Sequence, residues 1–134
     1  MTVKEFMNRP YELTKLIKRR TDQLQNVNSL IHGTSQIISA VPRSDSPDAH
    51  RLESLMARAV DLEMEITKAT EDLGTATAEV TSAINAINNA SCEEVLSARY
   101  LGFKDWTTIA RELDYCKDWV FRLHRKGLNL IRLQ

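Results

Sequence analysis

The residues best suited to recognise another molecule are the basic side chains near the end of the chain. Residues 115–134 carry five basic side chains against a single acidic one, Asp118. Basic side chains repeated along one helix can bind the phosphates of a nucleic acid. When the helix lies in the major groove, such side chains can also form hydrogen bonds with the bases. The five are Lys117, Arg122, Arg125, Lys126 and Arg132. The pattern favours a polyanion as the partner of this segment.

The residue sets that catalyse reactions or hold metals are missing from the sequence. It has no Gly-rich phosphate loop, no His-Glu-x-x-His motif and no Ser/His/Asp set at a useful spacing. Cys92 and Cys116 form no CxxC pair, and His32, His50 and His124 lie far apart in sequence. His124 is expected on a helix surface. The sequence therefore predicts a protein that is not an enzyme and needs neither a metal nor a cofactor.

Length and composition limit the number of domains and the kinds of partner that the chain can have. The chain has 134 residues, enough for one domain or a domain with an extension. With 18 basic and 18 acidic side chains its net charge is zero, so the total charge gives no reason for binding nucleic acid or a membrane. There is no apolar run of membrane-spanning length and no apolar signal core at the N-terminus. We expect a cytoplasmic protein that does not bind membranes.

The charge is distributed unevenly along the chain. Residues 1–43 have a net charge of +4, residues 48–79 of −5, and residues 80–134 of +2. The neutral total thus hides an acidic middle and a basic last helix, and this asymmetry tells more about partners than the sum does.

Apolar spacing predicts an all-α fold that begins with a long antiparallel coiled-coil hairpin. From Leu13 to Val41 the seam positions alternate steps of four and three, with Arg20 and Thr34 as exceptions, and Pro10 suits the first turn of this helix. The helix is expected to stop at Val41-Pro42, and residues 43–47 have the composition of a loop, in which Ser46 suits the N-cap and Pro47 the first turn of the next helix. The second seam, from Leu52 to Ile87, has eleven apolar positions. A hairpin alone buries a single stripe, so we expect a homodimer through the coiled coil, or another partner.

Three shorter helices follow the break at residues 88–89. Ser91 has the spacing of a capping box with Glu94, which predicts a helix over 92–101 that ends at Gly102. Asp105 then caps a helix over 106–113, residues 114–116 form a turn, and the last helix covers 117–132. We therefore divide the chain into a hairpin, 1–89, for oligomerisation or partner binding and a helix-turn-helix domain, 90–134.

The last two helices have the spacing of a DNA-binding helix-turn-helix. In such a motif the second helix enters the major groove, where its first residues reach the bases and others contact phosphates. Trp106 and Trp119 are expected mainly as core or half-buried anchors. The predicted DNA-binding residues are Lys104, Thr107, Thr108, Lys117, Asp118, Trp119, Phe121, Arg122, Arg125 and Lys126.

Residues 93–132 resemble the promoter-reading C-terminal domain of sigma factors, known as region four. The resemblance rests on Leu96-Ser-Ala-Arg99-Tyr100, on Ile109-Ala110-Arg-Glu-Leu113 and on the basic helix from Val120 to Leu128. The whole chain resembles small regulators of phages and prophages of Gram-positive bacteria, the RinA- and ArpU-like group, through its start, Thr2-Val3-Lys4-Glu5-Phe6, and its Pro42-Arg43-Ser44 loop.

This resemblance implies a late-gene transcription regulator that acts at the nucleoid of the host cell, with double-stranded promoter or operator DNA as its partner and RNA polymerase as a further one. Three residues depart from the usual pattern. Asp114 stands where Gly is common, Cys116 is a poorer cap than Ser, and Gly127, where Ala is usual, is expected to loosen the last helix.

Two other functions fit the same elements. A small terminase subunit for DNA packaging also joins a helix-turn-helix to an oligomerising region, although the order of the two is usually the reverse. A protein-binding adaptor would act on RNA polymerase without touching DNA, and the acidic Asp118 and the modest local charge are compatible with it.

Overall fold

The computed structural model describes residues 1–40 and 46–133, apart from the side chains of residues 38–40. These ranges contain helices and no strands, and the predicted all-α fold is confirmed: a hairpin of two long packed helices precedes a small helical region. The helices are α1 Val3–Ala40, α2 Pro47–Asn85, α3 Ala90–Leu96, which continues as a π-helical turn over Ser97–Leu101, α4 Trp106–Leu113 and α5 Lys117–Leu130. The predicted helix end at Val41-Pro42 and the loop residues 43–45 lie outside the described residues.

The chain divides into two compact units, each formed by segments of both long helices. The hairpin unit is Lys15–Glu71, and the C-terminal unit combines Met1–Thr14 with Asp72–Gln134. The compact units therefore do not follow the boundary at residue 89 that the sequence suggests. The first turns of α1 and the last turns of α2 pack with the short helices.

The start of the first helix differs from the prediction. Thr2 forms a capping box, in which Thr2 Oγ1 accepts a hydrogen bond from the Glu5 backbone N–H at 3.1 Å and the Glu5 carboxylate accepts one from the Thr2 N–H at 3.3 Å. The helix therefore begins at Val3, and Pro10 lies inside it and is buried. The expectation that Pro10 occupies the first turn was wrong because this cap lies eight residues upstream of it.

In the hairpin unit the predicted seam is the buried face. The seam positions 17 to 34 of α1 and 52 to 69 of α2 are all buried or half-buried, and Leu62 is fully buried. Arg20, an exception in the apolar pattern, reaches Glu65 on α2, with 2.7 Å between Arg20 Nε and Glu65 Oε2. The charged seam position is thus occupied by a cross-helix ion pair.

Caps set the remaining helix starts. Ser46 Oγ accepts a hydrogen bond from the Ala49 N–H at 3.1 Å, and α2 begins at Pro47 as predicted. The cap of α3 is Asn89, whose side chain accepts from the Cys92 N–H at 3.2 Å, and not Ser91. The preceding Asn88 has a φ of 55°, a left-handed conformation that turns the chain sharply and lets α3 begin earlier than expected.

Two buried clusters hold the C-terminal unit together. The first joins Met7 of α1 and two residues of α2 to the short helices, and consists of Met7, Val80, Ile84, Leu96, Tyr100 and Ile131. The second lies among α3, α4 and α5 and consists of Cys92, Val95, Ile109, Ala110, Val120 and Leu123. Both long helices therefore support the surface that carries the predicted site. No helix in the described ranges has the length and apolarity needed to cross a membrane.

Candidate nucleic-acid interface

The fourth helix and the turn after it are fixed by local hydrogen bonds. Asp105 Oδ1 accepts from the Thr108 backbone N–H at 2.7 Å, and this bond together with a second one from the Thr108 side chain holds the pKa of Asp105 below its ordinary value. Asp114 ends the helix in the left-handed conformation, with φ 61° and ψ 40°. Asp tolerates this conformation better than most residues, so Asp114 can take the place where Gly is common.

The fifth helix presents one face to the core and the opposite face to solvent. Val120, Leu123 and Gly127 are buried against the second cluster and α3. The outermost line of the helix runs at steps of four, three and four residues, which places its members on one face. It consists of Asp118, Arg122, Arg125 and Asn129, all of them exposed. We call these four residues the outer stripe.

The flanks of the outer stripe carry the other predicted residues of α5. Lys117 and Phe121 lie on the side of α4, where the Phe121 ring contacts the edge of Trp106 with 5.3 Å between ring centroids. Trp119 and Lys126 are exposed on the other flank. Trp119 keeps 44% of its surface exposed, so the expectation of a core or half-buried anchor was wrong for this residue, whereas Trp106 is half-buried against the second cluster.

The predicted residues before α5 lie around the start of α4. Thr107 is exposed, Thr108 is half-buried and engaged in the cap, and Lys104 is bound to an acidic side chain. Lys104 Nζ and Glu112 Oε2 are 2.5 Å apart, in an ion pair that is itself partly exposed. A phosphate at Lys104 would have to compete with Glu112. Lys104 is therefore less available to an anion than a lysine without an acidic neighbour would be.

An aromatic cluster behind α5 holds the helix in position. The Tyr100 hydroxyl and His124 Nε2 are hydrogen-bonded at 2.6 Å, and the Trp106 ring lies 4.8 Å from the His124 ring between centroids. Arg99 stacks over Trp106 at 4.4 Å and donates from Nη1 to the Lys104 carbonyl at 3.0 Å. This guanidinium connects the π-helical turn to the start of α4.

His124 is half-buried in this cluster, so the expectation of a surface histidine was wrong. Burial lowers the pKa of His124 from 6.5 to about 4, and the charges of Arg99 and Lys4 act in the same direction. The ring is therefore neutral at physiological pH and serves as a packing and hydrogen-bonding group. Burial likewise raises the pKa of the Tyr100 hydroxyl above its ordinary value.

Gly127 is the point of closest approach between α5 and α3. A Cβ atom at this position would lie 2.8 Å from Leu96 Cδ1 and 3.3 Å from Cys92 Cβ. The glycine therefore permits the close contact between α5 and α3, and α5 continues through it to Leu130. Burial also raises the pKa of the Cys92 thiol, which makes it an inert core residue.

Two residues that form or position this surface were not among those predicted from the sequence. Asn129 extends the outer stripe by one turn, and the four-three-four spacing from Asp118 was the signal that could have found it. Arg99 positions the turn before α4, a role that depends on distant contacts and leaves no local pattern. Among the described residues, no group of three His, Cys, Asp or Glu side chains is placed to hold a metal ion.

The outer stripe carries three side-chain types that can form hydrogen bonds with bases. Arg donates two parallel hydrogen bonds to guanine, Asn pairs with adenine, and Asp accepts from cytosine. Asp118 also has a structural reason for its place, because a carboxylate in the first turn of a helix interacts favourably with the helix dipole. Comparison with protein-family models, curated proteins and solved structures finds no match to this chain.

Proposed function

We propose that the chain is a DNA-binding transcription regulator of the phage or prophage type, as its resemblance to sigma-like regulators implies. The observation that carries the proposal is the outer stripe. It presents two arginines and an asparagine on an exposed helix face whose opposite side is fixed in a helix-turn-helix core. In this arrangement α5 enters the major groove with Arg122 at its centre, and the flanking Lys117 and Lys126 contact phosphates.

Binding to duplex DNA across a salt series tests the proposal. Fluorescence anisotropy with upstream DNA of the source genome and a scrambled duplex separates specific from non-specific affinity. We expect Arg122→Ala to weaken specific binding by about 1–3 kcal/mol with little effect on the scrambled duplex. Lys126→Ala is expected to weaken binding to both duplexes equally and to reduce the salt slope by about 1.

Arg58→Ala is the matched control for these variants. Arg58 is likewise an exposed arginine on a helix, but it belongs to the hairpin unit. It should leave DNA affinity unchanged. Equal losses in Arg58→Ala and Arg122→Ala, or no salt-dependent binding of the intact chain, would contradict the proposal.

A protein-binding adaptor is the second candidate, and one observation favours it. Trp119 and Phe121 are 44% and 38% exposed at the start of α5, and exposed aromatic side chains are typical anchors of protein interfaces. The adaptor hypothesis predicts that Trp119→Ala abolishes capture of RNA polymerase while the chain binds neither duplex. DNA binding that survives in Trp119→Ala would favour the regulator.

A further inference from the structure

The outer side of α2 carries an apolar stripe that the hairpin does not use. Met56, Val60 and Met64 are 53%, 54% and 66% exposed, whereas Leu62, between two of them in sequence, is fully buried in the seam. Steps of four residues place the three side chains on one face, turned away from α1. We call them the α2 stripe. All three residues belong to the hairpin unit.

We propose that the α2 stripe is a self-association surface, on which α2 of a second copy packs antiparallel around a two-fold axis at Val60. In this register Val60 contacts its own counterpart, and Met56 of one copy lies opposite Met64 of the other. The long thioether side chains adapt readily to each other's shape. A two-fold interface uses the same patch twice, so a stripe symmetric about its central residue is complementary to itself.

Charge decides the direction of the two helices. The residues at the two ends of the α2 stripe, Glu53 and Glu71, are exposed and acidic. In a parallel pair each would face its own copy, and like charges in direct opposition are unfavourable. In the antiparallel pair Glu53 lies opposite Thr67 and beside Lys68 of the other copy. The axis generates this opposite-charge contact twice, in addition to the contact that Lys68 makes within its own chain.

The acidic residues around the α2 stripe argue against a nucleic acid or an anionic membrane as its occupant. Acidic residues surround the α2 stripe at positions 53, 61, 63 and 71, and Lys68 is the basic residue on this side of the helix. Such a rim repels phosphate groups. The inference is independent of the proposed DNA binding, because it concerns a different surface and is tested on the chain without DNA.

Sedimentation equilibrium of the full chain tests the surface. We expect a dimer in the unmodified protein and a monomer in Val60→Asp, because the new carboxylates would face each other across the axis. Ser54→Asp is the matched control. It adds the same charge to an exposed position of the same helix outside the α2 stripe, and should remain dimeric. Helical circular dichroism must stay unchanged in both variants. An unmodified chain that is monomeric, or a Val60→Asp variant that is still dimeric, would overturn the proposal.

Disulfide cross-linking tests the direction. Cys116→Ser removes the exposed native thiol, and Cys92 is buried. In this background the antiparallel pair predicts that Val60→Cys cross-links with itself. Met56→Cys and Met64→Cys are each expected to stay uncross-linked alone and to cross-link with each other when mixed. Self-cross-linking of Met56→Cys would contradict the antiparallel register.

Charge reversal offers a test without cysteines. Glu53→Lys and Lys68→Glu should each weaken the dimer at least several-fold, and the double variant should restore it, because the pair is regenerated across the interface. A double variant that is as weak as the two single variants would show that Glu53 and Lys68 do not meet.

Discussion

At the scale of single residues, Gly127 shows how one missing methyl group lets two helices touch. An added Cβ would lie 2.8 Å from Leu96 Cδ1 and 3.1 Å from Leu96 Cγ, and Leu96 is fully buried. Overpacking of this kind costs about 1–3 kcal/mol, whereas Ala in place of a helical Gly gains up to about 1 kcal/mol. We therefore expect Gly127→Ala to lower the free energy of unfolding by about 1 kcal/mol in urea denaturation.

Gly74→Ala is the control for that prediction. Gly74 is also helical, and nothing lies within 4 Å of a Cβ added there. The substitution should therefore raise stability by about 0.5–1 kcal/mol. A stabilising Gly127→Ala would mean that Leu96 moves aside at little cost and that the close contact is not required.

His124 makes stability depend on pH in a defined interval. Its pKa is lowered from 6.5 to about 4 in the folded chain, so between these two pH values the unfolded chain binds a proton that the folded chain does not. The free energy of unfolding is therefore unaffected by protonation of this histidine above pH 6.5, and it decreases as the pH falls from 6.5 towards about 4. The midpoint of urea denaturation, measured at several pH values between neutral and about 4, should therefore fall as the pH is lowered.

A variant at position 124 separates the histidine's contribution to the pH dependence of stability from that of the carboxylates. His124→Gln keeps a hydrogen-bonding group near the Tyr100 hydroxyl but does not titrate, so its urea midpoint should fall less over the same interval. His50→Gln removes an exposed histidine of α2 and should preserve the steeper dependence of the unmodified chain. Identical pH profiles for His124→Gln and the unmodified protein would exclude His124 as the cause.

At the scale of helices, the sequence predicted the elements whose information is local. The three-four spacing located both seams, and the caps Ser46 and Asp105 located two helix starts, because each depends on residues within one or two turns. The start of α1 was misplaced although the Thr2–Glu5 capping box was visible. Pro10 suggested a helix start, but it lies inside α1 and is buried there.

The candidate site was predictable to the same extent. The exposure of Arg122 and Arg125 follows from the spacing of Val120 and Leu123 on the opposite face of α5. The pairing of Lys104 with Glu112 and the burial of His124 against Tyr100 could not be predicted. Both depend on how α4 and the π-helical turn pack against neighbouring helices. The spacing of residues along a single helix gives no information about that packing.

At the scale of the whole molecule, residues from the two ends of the chain share one core. Met7 is fully buried with Leu96, Tyr100 and Ile131 in the C-terminal unit, and Val80 and Ile84 complete that cluster. A segment cut at residue 90 would expose the face of this cluster that α3, its π-helical turn and the end of α5 contribute. We expect a 90–134 fragment to unfold without a cooperative thermal transition, measured by circular dichroism.

A point substitution tests the same dependence in the intact chain. Both tryptophans, Trp106 and Trp119, lie in α4 and α5, so tryptophan fluorescence reports on the C-terminal helices alone. Met7→Ala leaves a cavity in the shared core and should lower the free energy of unfolding seen by fluorescence by about 2–5 kcal/mol. Leu30→Ala, at a 46% exposed position of the same helix, should change it by no more than about 0.5 kcal/mol. A fluorescence transition unaffected by Met7→Ala, together with a cooperatively folded 90–134 fragment, would show that the C-terminal helices fold without α1. The larger loss at Met7 would show that the first turns of the chain stabilise the surface formed by its last helix.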